Sequence, residues 1–187
     1  MEMDNSPDVI NAIDSRKGRS ALHCAALRGK LDIVKVLIAQ GANTQLKGYQ
    51  EKTPLQVCAE QWFIDGTKDH ERTTSYLIDI NPQEAKITPT VLSAAAANGS
   101  LAVVEKLFSI GANLNTPDEY GWTPILLAKR FKHKEVVKFL GKHLGYSGGS
   151  PSKFVENSSR IWVSDDGTGL YFEGGPKGTI PSLLRGH

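Results

Sequence analysis

Residues 21–43 read ALHCAALRGKLDIVKVLIAQGAN, and the order of residue classes within them decides the fold. A run of small and apolar residues (Leu22, Ala25, Ala26) comes first, and Gly29 interrupts it. Ile33, Val34, Leu37 and Ile38 then recur at i, i+1, i+4 and i+5, which places them on one helix face. Gly41 ends that face, followed by Ala42 and Asn43. The stretch therefore predicts a short helix of small residues, a break, and a second amphipathic helix.

The same order returns. Residues 91–113, VLSAAAANGSLAVVEKLFSIGAN, align without a gap at an offset of 70 (22 to 92). Leu22/Leu92, Ala25/Ala95, Ala26/Ala96, Gly29/Gly99, Leu31/Leu101, Val34/Val104 and Leu37/Leu107 match, as do both Gly-Ala-Asn endings. Between and beyond them, KTPLQVCAE places Thr53 33 residues after Ser20, and GWTPILLAK places Thr123 33 residues after Thr90. Thr-Pro suits a helix start, because proline is tolerated in the first turn and the hydroxyl can cap free N–H groups. Such units bury their apolar faces only against one another, which predicts a solenoid.

These residues resemble the ankyrin repeat family, whose pattern is G-x-T-P-L-H-x-A-A, a Gly-His turn, a V-V-x-x-L-L helix and a Gly-Ala-Asp/Asn ending. The resemblance covers Asp8 to Leu144 and implies an all-α solenoid with β-turn tips. Four repeats are expected, at 14–47, 48–82, 83–115 and 116–144, after the tail of a truncated preceding repeat at 1–13. Repeat one has Ser20-Ala21 for Thr-Pro, and repeat three has Val91 for proline. Repeat two lacks the Gly-His turn and carries about seven extra residues, read as an enlarged loop at Gly66 to Arg72, either a private binding loop or merely tolerated length. Repeat four has Lys132 for the turn glycine and Gly141 in its second helix.

After Leu144 the Gly-, Ser- and Pro-rich stretch 145–160 reads as a flexible linker. Ile161 and Val163, a turn at Asp165 to Gly169, and Leu170 to Phe172 then alternate like a β-hairpin. Trp162, the VSDDG of Val163 to Gly167, Tyr171, Gly174 and Arg185 to His187 are similar to the start of a SPRY domain. That resemblance would make 161–187 an incomplete β-rich module, and the chain a fragment of a larger ankyrin–SPRY protein.

A formal charge of +2 on 187 residues offers no strong pull toward nucleic acid or anionic lipid. The start, MEMDNSPDVI, has no apolar h-region, and no run approaches eighteen apolar residues. With only Cys24 and Cys58 there is no disulfide framework, so a reducing location, cytoplasmic or nuclear, is expected.

Adjacent His23 and Cys24 invite a nucleophile-and-base reading, but Ser93-Ala94 replaces them in repeat three with the pattern intact. In the family this histidine steadies the turn, and a free cysteine packs as a small apolar residue. Asp165 to Gly169 has neither the Asp-Thr-Gly of an aspartic protease nor the alternating carboxylates of an EF-hand. GGPKGT at 174–179 lacks phosphate-loop spacing, and His133 and His143, ten apart, form no metal pair. No catalytic residue, metal or cofactor is expected. Lys129, Arg130, Lys132, Lys134, Lys138 and Lys142 cluster in repeat four, either as a site for an acidic partner or nucleic acid or as the solvated face of a terminal repeat.

The resemblance implies a non-catalytic scaffold that binds protein partners through turn tips and inner helices. The alternative is a substrate-recruiting or regulatory subunit, such as a ubiquitin-ligase or signalling adaptor. The family's variable positions fall at Arg16, Arg19, Leu27 and Arg28, and at Gln50, Lys52, Glu60 and Gln61. They continue at Ala97, Asn98, Glu119, Tyr120, Trp122, Arg130 and Phe131. Tyr120 and Trp122 are the expected anchors, since exposed aromatics are enriched at hot spots, with packing on the neighbouring turn as the alternative for Trp122. A monomer without membrane or nucleic-acid partners is expected.

Overall fold

The structure is a computed structural model that describes residues 7–118 and 120–144, together with the backbone of 161–163 and 170–172. Two compact units divide the chain, Met1–Leu140 and Gly141–His187. In the first, short helices alternate between an inner and an outer row. After α1 (Pro7–Ile10), the pair α2 (Ala21–Leu27) and α3 (Leu31–Ala39) forms the first repeat. The second pair is α4 (Pro54–Asp65) and α5 (Lys68–Ile80), followed by a short α6 (Pro82–Ile87). The third is α7 (Pro89–Ala97) and α8 (Leu101–Ser109), and the fourth α9 (Pro124–Arg130) and α10 (Lys134–His143).

The inner row stacks α2 on α4, α4 on α7 and α7 on α9. Small residues make that approach possible: Ala26, Cys58, Ala59, Ala95, Ala96 and Ala128 have no exposed surface. Leu22, Val34, Leu55, Trp62, Leu77, Val104, Leu107, Leu127 and Leu140 are equally sealed, so one apolar core runs through all four helix pairs. In the second unit Ile161–Val163 (β1) pairs antiparallel with Leu170–Phe172 (β2), with Trp162 opposite Tyr171. The hairpin turn expected at Asp165 to Gly169, the linker and the remaining SPRY-like positions lie outside the described residues.

Helix starts follow the capping chemistry. Ser20 and Thr53 each form a capping box, with His23 and Gln56 as the returning side chains. Such caps are worth about 1 kcal/mol each. Repeat three departs from the expected register. Thr88-Pro89, not Thr90-Val91, opens α7, two residues earlier. Thr88 Oγ1 donates back to the Glu84 carbonyl at 2.8 Å instead of capping α7. The helix α6 occupies the place of a turn tip there, and Thr53 Oγ1 donates to the Glu84 carboxylate from the start of α4. The other tips are turns, closed by Asp14 N–H to Arg19 O (3.0 Å), Gly48 N–H to Lys52 O (2.9 Å) and Asp118 N–H to Trp122 O (2.9 Å).

The insertion in repeat two is helix, not loop. Helix α4 runs 12 residues where α2 has 7, and α5 runs 13 where α3 has 9. Only Gly66 and Thr67 connect α4 to α5. Gly66 ends α4 in the left-handed region (φ 63°), and the Thr67 hydroxyl caps α5 by accepting from His70 N–H. No binding loop exists at 66–72.

Candidate functional site

The turn tip of repeat one, the tip of repeat two, and the inner helices α2 and α4 enclose a hollow of about 180 Å³. Six of the expected partner positions line it: Arg19, Leu27, Gln50, Lys52, Glu60 and Gln61. Its floor is held by His23, which is fully buried. The Ser20 N–H donates to Nδ1 (3.3 Å), so Nδ1 is the acceptor and Nε2 carries the proton it donates to the Lys52 carbonyl at 3.0 Å. Burial, reinforced by the Arg19 charge against the pull of the Lys52 carbonyl, holds its pKa below the usual imidazole value. A neutral ring with one outgoing N–H fits both bonds, and His23 joins repeat one to the tip of repeat two. It is a bolt, not a base.

The second tip is strained where it borders the hollow. Gln50 and Glu51 both have φ of 58°, a left-handed conformation uncommon outside glycine. The Tyr49 N–H donates to Gly18 O at 2.6 Å, tying the two tips together. Lys52 Nζ pairs with Glu60 Oε1 at 2.8 Å with both side chains about 30% exposed, so this cation is already answered.

The remaining expected positions lie apart from the hollow. Arg16 and Arg28 are exposed on repeat one, and Arg130 and Phe131 on repeat four. Ala97 is buried. Asn98 is half-buried, its amide donating to Trp62 O (2.9 Å) and Ala94 O (3.0 Å), so it caps helix ends rather than facing a partner. Tyr120 is 45% exposed, but Trp122 is only 6% exposed. That corrects Trp122 as an anchor: an indole carries more apolar area than a tip can leave in water, and here it is withdrawn into the core. The Trp122 backbone N–H donates to the Asp118 carboxylate at 2.9 Å, which fixes the tip. Glu119 lies outside the described residues.

Two histidines that sequence reading undervalued share one role. His70 Nε2 meets Leu27 O at 3.0 Å, and His133 Nε2 meets Ala97 O at 2.7 Å. Each reaches the last turn of the preceding repeat's inner helix. His70 stands seven residues before Leu77, as His133 stands seven before Leu140. The histidine of the Gly-His turn is therefore present in repeat two, displaced by the longer helices. The signal was Thr67-x-x-His70, which repeats the Ser20-x-x-His23 cap.

Cys58 is chemically quiet. Burial pushes its thiol up to about 12, and the Thr74 hydroxyl donates to its sulfur at 3.3 Å. Among the described residues, no group of three His, Cys, Asp or Glu side chains could hold a metal, and no helix is long and apolar enough to cross a membrane.

Comparison with known proteins agrees with this architecture. The family model for ankyrin repeats (3 copies) matches residues 3–82 and 65–149. A transient receptor potential cation channel subfamily A member 1 homolog of Caenorhabditis elegans is 32% identical over 123 residues, 65% of this chain and 10% of that protein. The Homo sapiens transient receptor potential cation channel subfamily A member 1 is 28% identical over 160 residues, covering 82% of this chain and 14% of its own length. NF-kappa-B inhibitor alpha of Homo sapiens is 28% identical over 102 residues, 54% of this chain and 32% of the inhibitor. The chain thus spans between a tenth and a third of these relatives. With the repeats matched over more than half its length and the stacked helix pairs in place, the chain belongs to the ankyrin repeat family.

Proposed function

We propose that this chain is a non-catalytic protein–protein interaction scaffold that engages a protein partner through its turn tips and inner helices. The observation that carries this reading is the convergence of Arg19, Leu27, Gln50, Lys52, Glu60 and Gln61 on one hollow, from four separate stretches of chain. Arg16, Arg28, Tyr120, Arg130 and Phe131 extend the surface as exposed positions. The four-repeat division at 14–47, 48–82, 83–115 and 116–144 belongs to the same reading. A relative named as an inhibitor of another protein supports it. Pull-down from native extract tests it, comparing wild type with a Gln61→Ala/Tyr120→Ala variant and with an outer-face control, Val36→Ala. Loss of a partner from the first variant alone is expected. Equal recovery of every partner by all three would sink the reading.

The second reading, a recruiting or regulatory subunit of an ankyrin–SPRY protein, rests on the sequence resemblance of residues 161–187 alone. Sequencing the reading frame beyond His187 tests it, and an immediate stop codon removes it.

A further inference from the structure

The hollow between repeats one and two contains a cation without a counter-ion. Arg19 Nε is buried and donates to no acceptor, and among the described residues no carboxylate pairs with its guanidinium. Lys52, the other cation there, is held by Glu60. Burying an unpaired donor is costly, and a guanidinium gains most from a planar group with two oxygens. Arg16, Lys17 and Arg28 stand exposed on the same repeat and add to the positive field.

Size and shape narrow the ligand. At about 180 Å³ the hollow is smaller than the roughly 300–1,000 Å³ typical of small-molecule sites, so it suits one side chain of a larger partner. Its wall is partly apolar, with Ile64 49% and Tyr49 57% exposed beside Leu27. The left-handed Gln50 is held in a conformation that costs energy, as residues at ligand clamps often are.

We propose that this hollow receives a glutamate or aspartate side chain of a protein partner, with the carboxylate on Arg19 and an adjacent apolar side chain against Leu27 and Ile64. The assignment rests on the scaffold reading and gives it a ligand chemistry. His23 is an internal reporter: the Arg19 charge is one of the causes that depress its pKa, after burial, and an incoming carboxylate offsets that charge.

Fluorescein-labelled hexapeptide pools with a fixed central Glu-Leu step, compared with Gln-Leu pools, test the assignment by anisotropy on the full chain. The Glu pool should bind roughly tenfold or more tightly than the Gln pool, the value of a charged, two-bond contact. It should also shift the His23 imidazole resonances. Arg19→Gln should erase the preference, Arg19→Lys should recover only part of it, and Lys35→Gln, at an exposed position of α3, should leave it intact. If Arg19→Gln melts early, Gln61→Glu decides, because a second carboxylate in the hollow must weaken the Glu pool alone. Equal binding of both pools, or a preference that survives a folded Arg19→Gln, overturns the proposal. Displacement of the Glu pool by inorganic tripolyphosphate that itself binds more tightly through Arg19 also overturns it, in favour of a phosphate site. Failure here with partner capture still dependent on Gln61 and Tyr120 removes the carboxylate and leaves the scaffold standing.

Discussion

Gly99 and Lys132 occupy the same turn in repeats three and four, 33 residues apart, and the backbone is left-handed at both, with φ of 70° and 62°. What stands over them differs. A Cβ built on Gly99 would lie 2.3 Å from His133 Nδ1, whereas Lys132 is exposed. The left-handed geometry is therefore a demand of the turn, and the glycine is a demand of the next repeat. A lysine can bear the first, at a cost of about 1–2 kcal/mol, where the second is not imposed.

The largest test substitutes the crowded site. Gly99→Ala should cost about 3 kcal/mol in urea denaturation, combining left-handed strain with loss of the His133–Ala97 bond. In a His133→Ala background the same change should cost only about 1 kcal/mol, since the ring is gone and the turn strain remains. Equal costs in both backgrounds would break the comparison, because the next repeat would then not be the reason for glycine.

A pH titration sharpens the histidine side of it. The folded pKa of His23 is depressed, so the unfolded chain takes up its proton first as pH falls. Stability should be intact above the unfolded value of about 6.5 and should decline from there down through the folded value. His23→Gln should flatten that slope while lowering stability at pH 7.5; an unchanged slope would show the ring is not withheld from protons.

Lys132→Gly is the smallest effect and has the opposite sign. Relief of strain, less the greater freedom of the unfolded chain, should stabilise by about 0.5 kcal/mol, read as a rise in the urea midpoint. Destabilisation would mean that the lysine makes contacts outweighing its backbone strain.

Much of this was legible because the repeat is written in small residues. Ala25, Ala26, Ala95 and Ala96 permit close helices, and Gly29 and Gly99 mark the breaks, whatever their neighbours do. The insertion was misread because DGTKDHERTT is polar and holds a glycine, features shared by loops and by solvated helix faces. Gly66 followed by Thr67 was the distinguishing sign, a helix end abutting a helix start. Thr88-Pro89 lay two residues outside a gapless alignment, so the register concealed the earlier start of α7. Trp122 was misjudged for another reason. Periodicity places a tip residue near the partner surface but does not say whether its side chain turns inward, and burial is set by a neighbouring repeat.

The inner helices also differ in how their negative ends are met. Imidazoles reach the carbonyls of Leu27 and Ala97, and the Asn98 amide reaches that of Trp62, so α2, α7 and α4 are each served from the following repeat. Their own last turns carry no basic residue, whereas the last turn of α9 has Lys129 and Arg130. The cations of α9 stand where a successor's donor would. An engineer grafting a further unit after Leu144 would therefore have two edits to make together. Lys132 must become glycine to admit an incoming ring, and Lys129 and Arg130 must give way to neutral residues, or the new joint will meet a charge already in its seat.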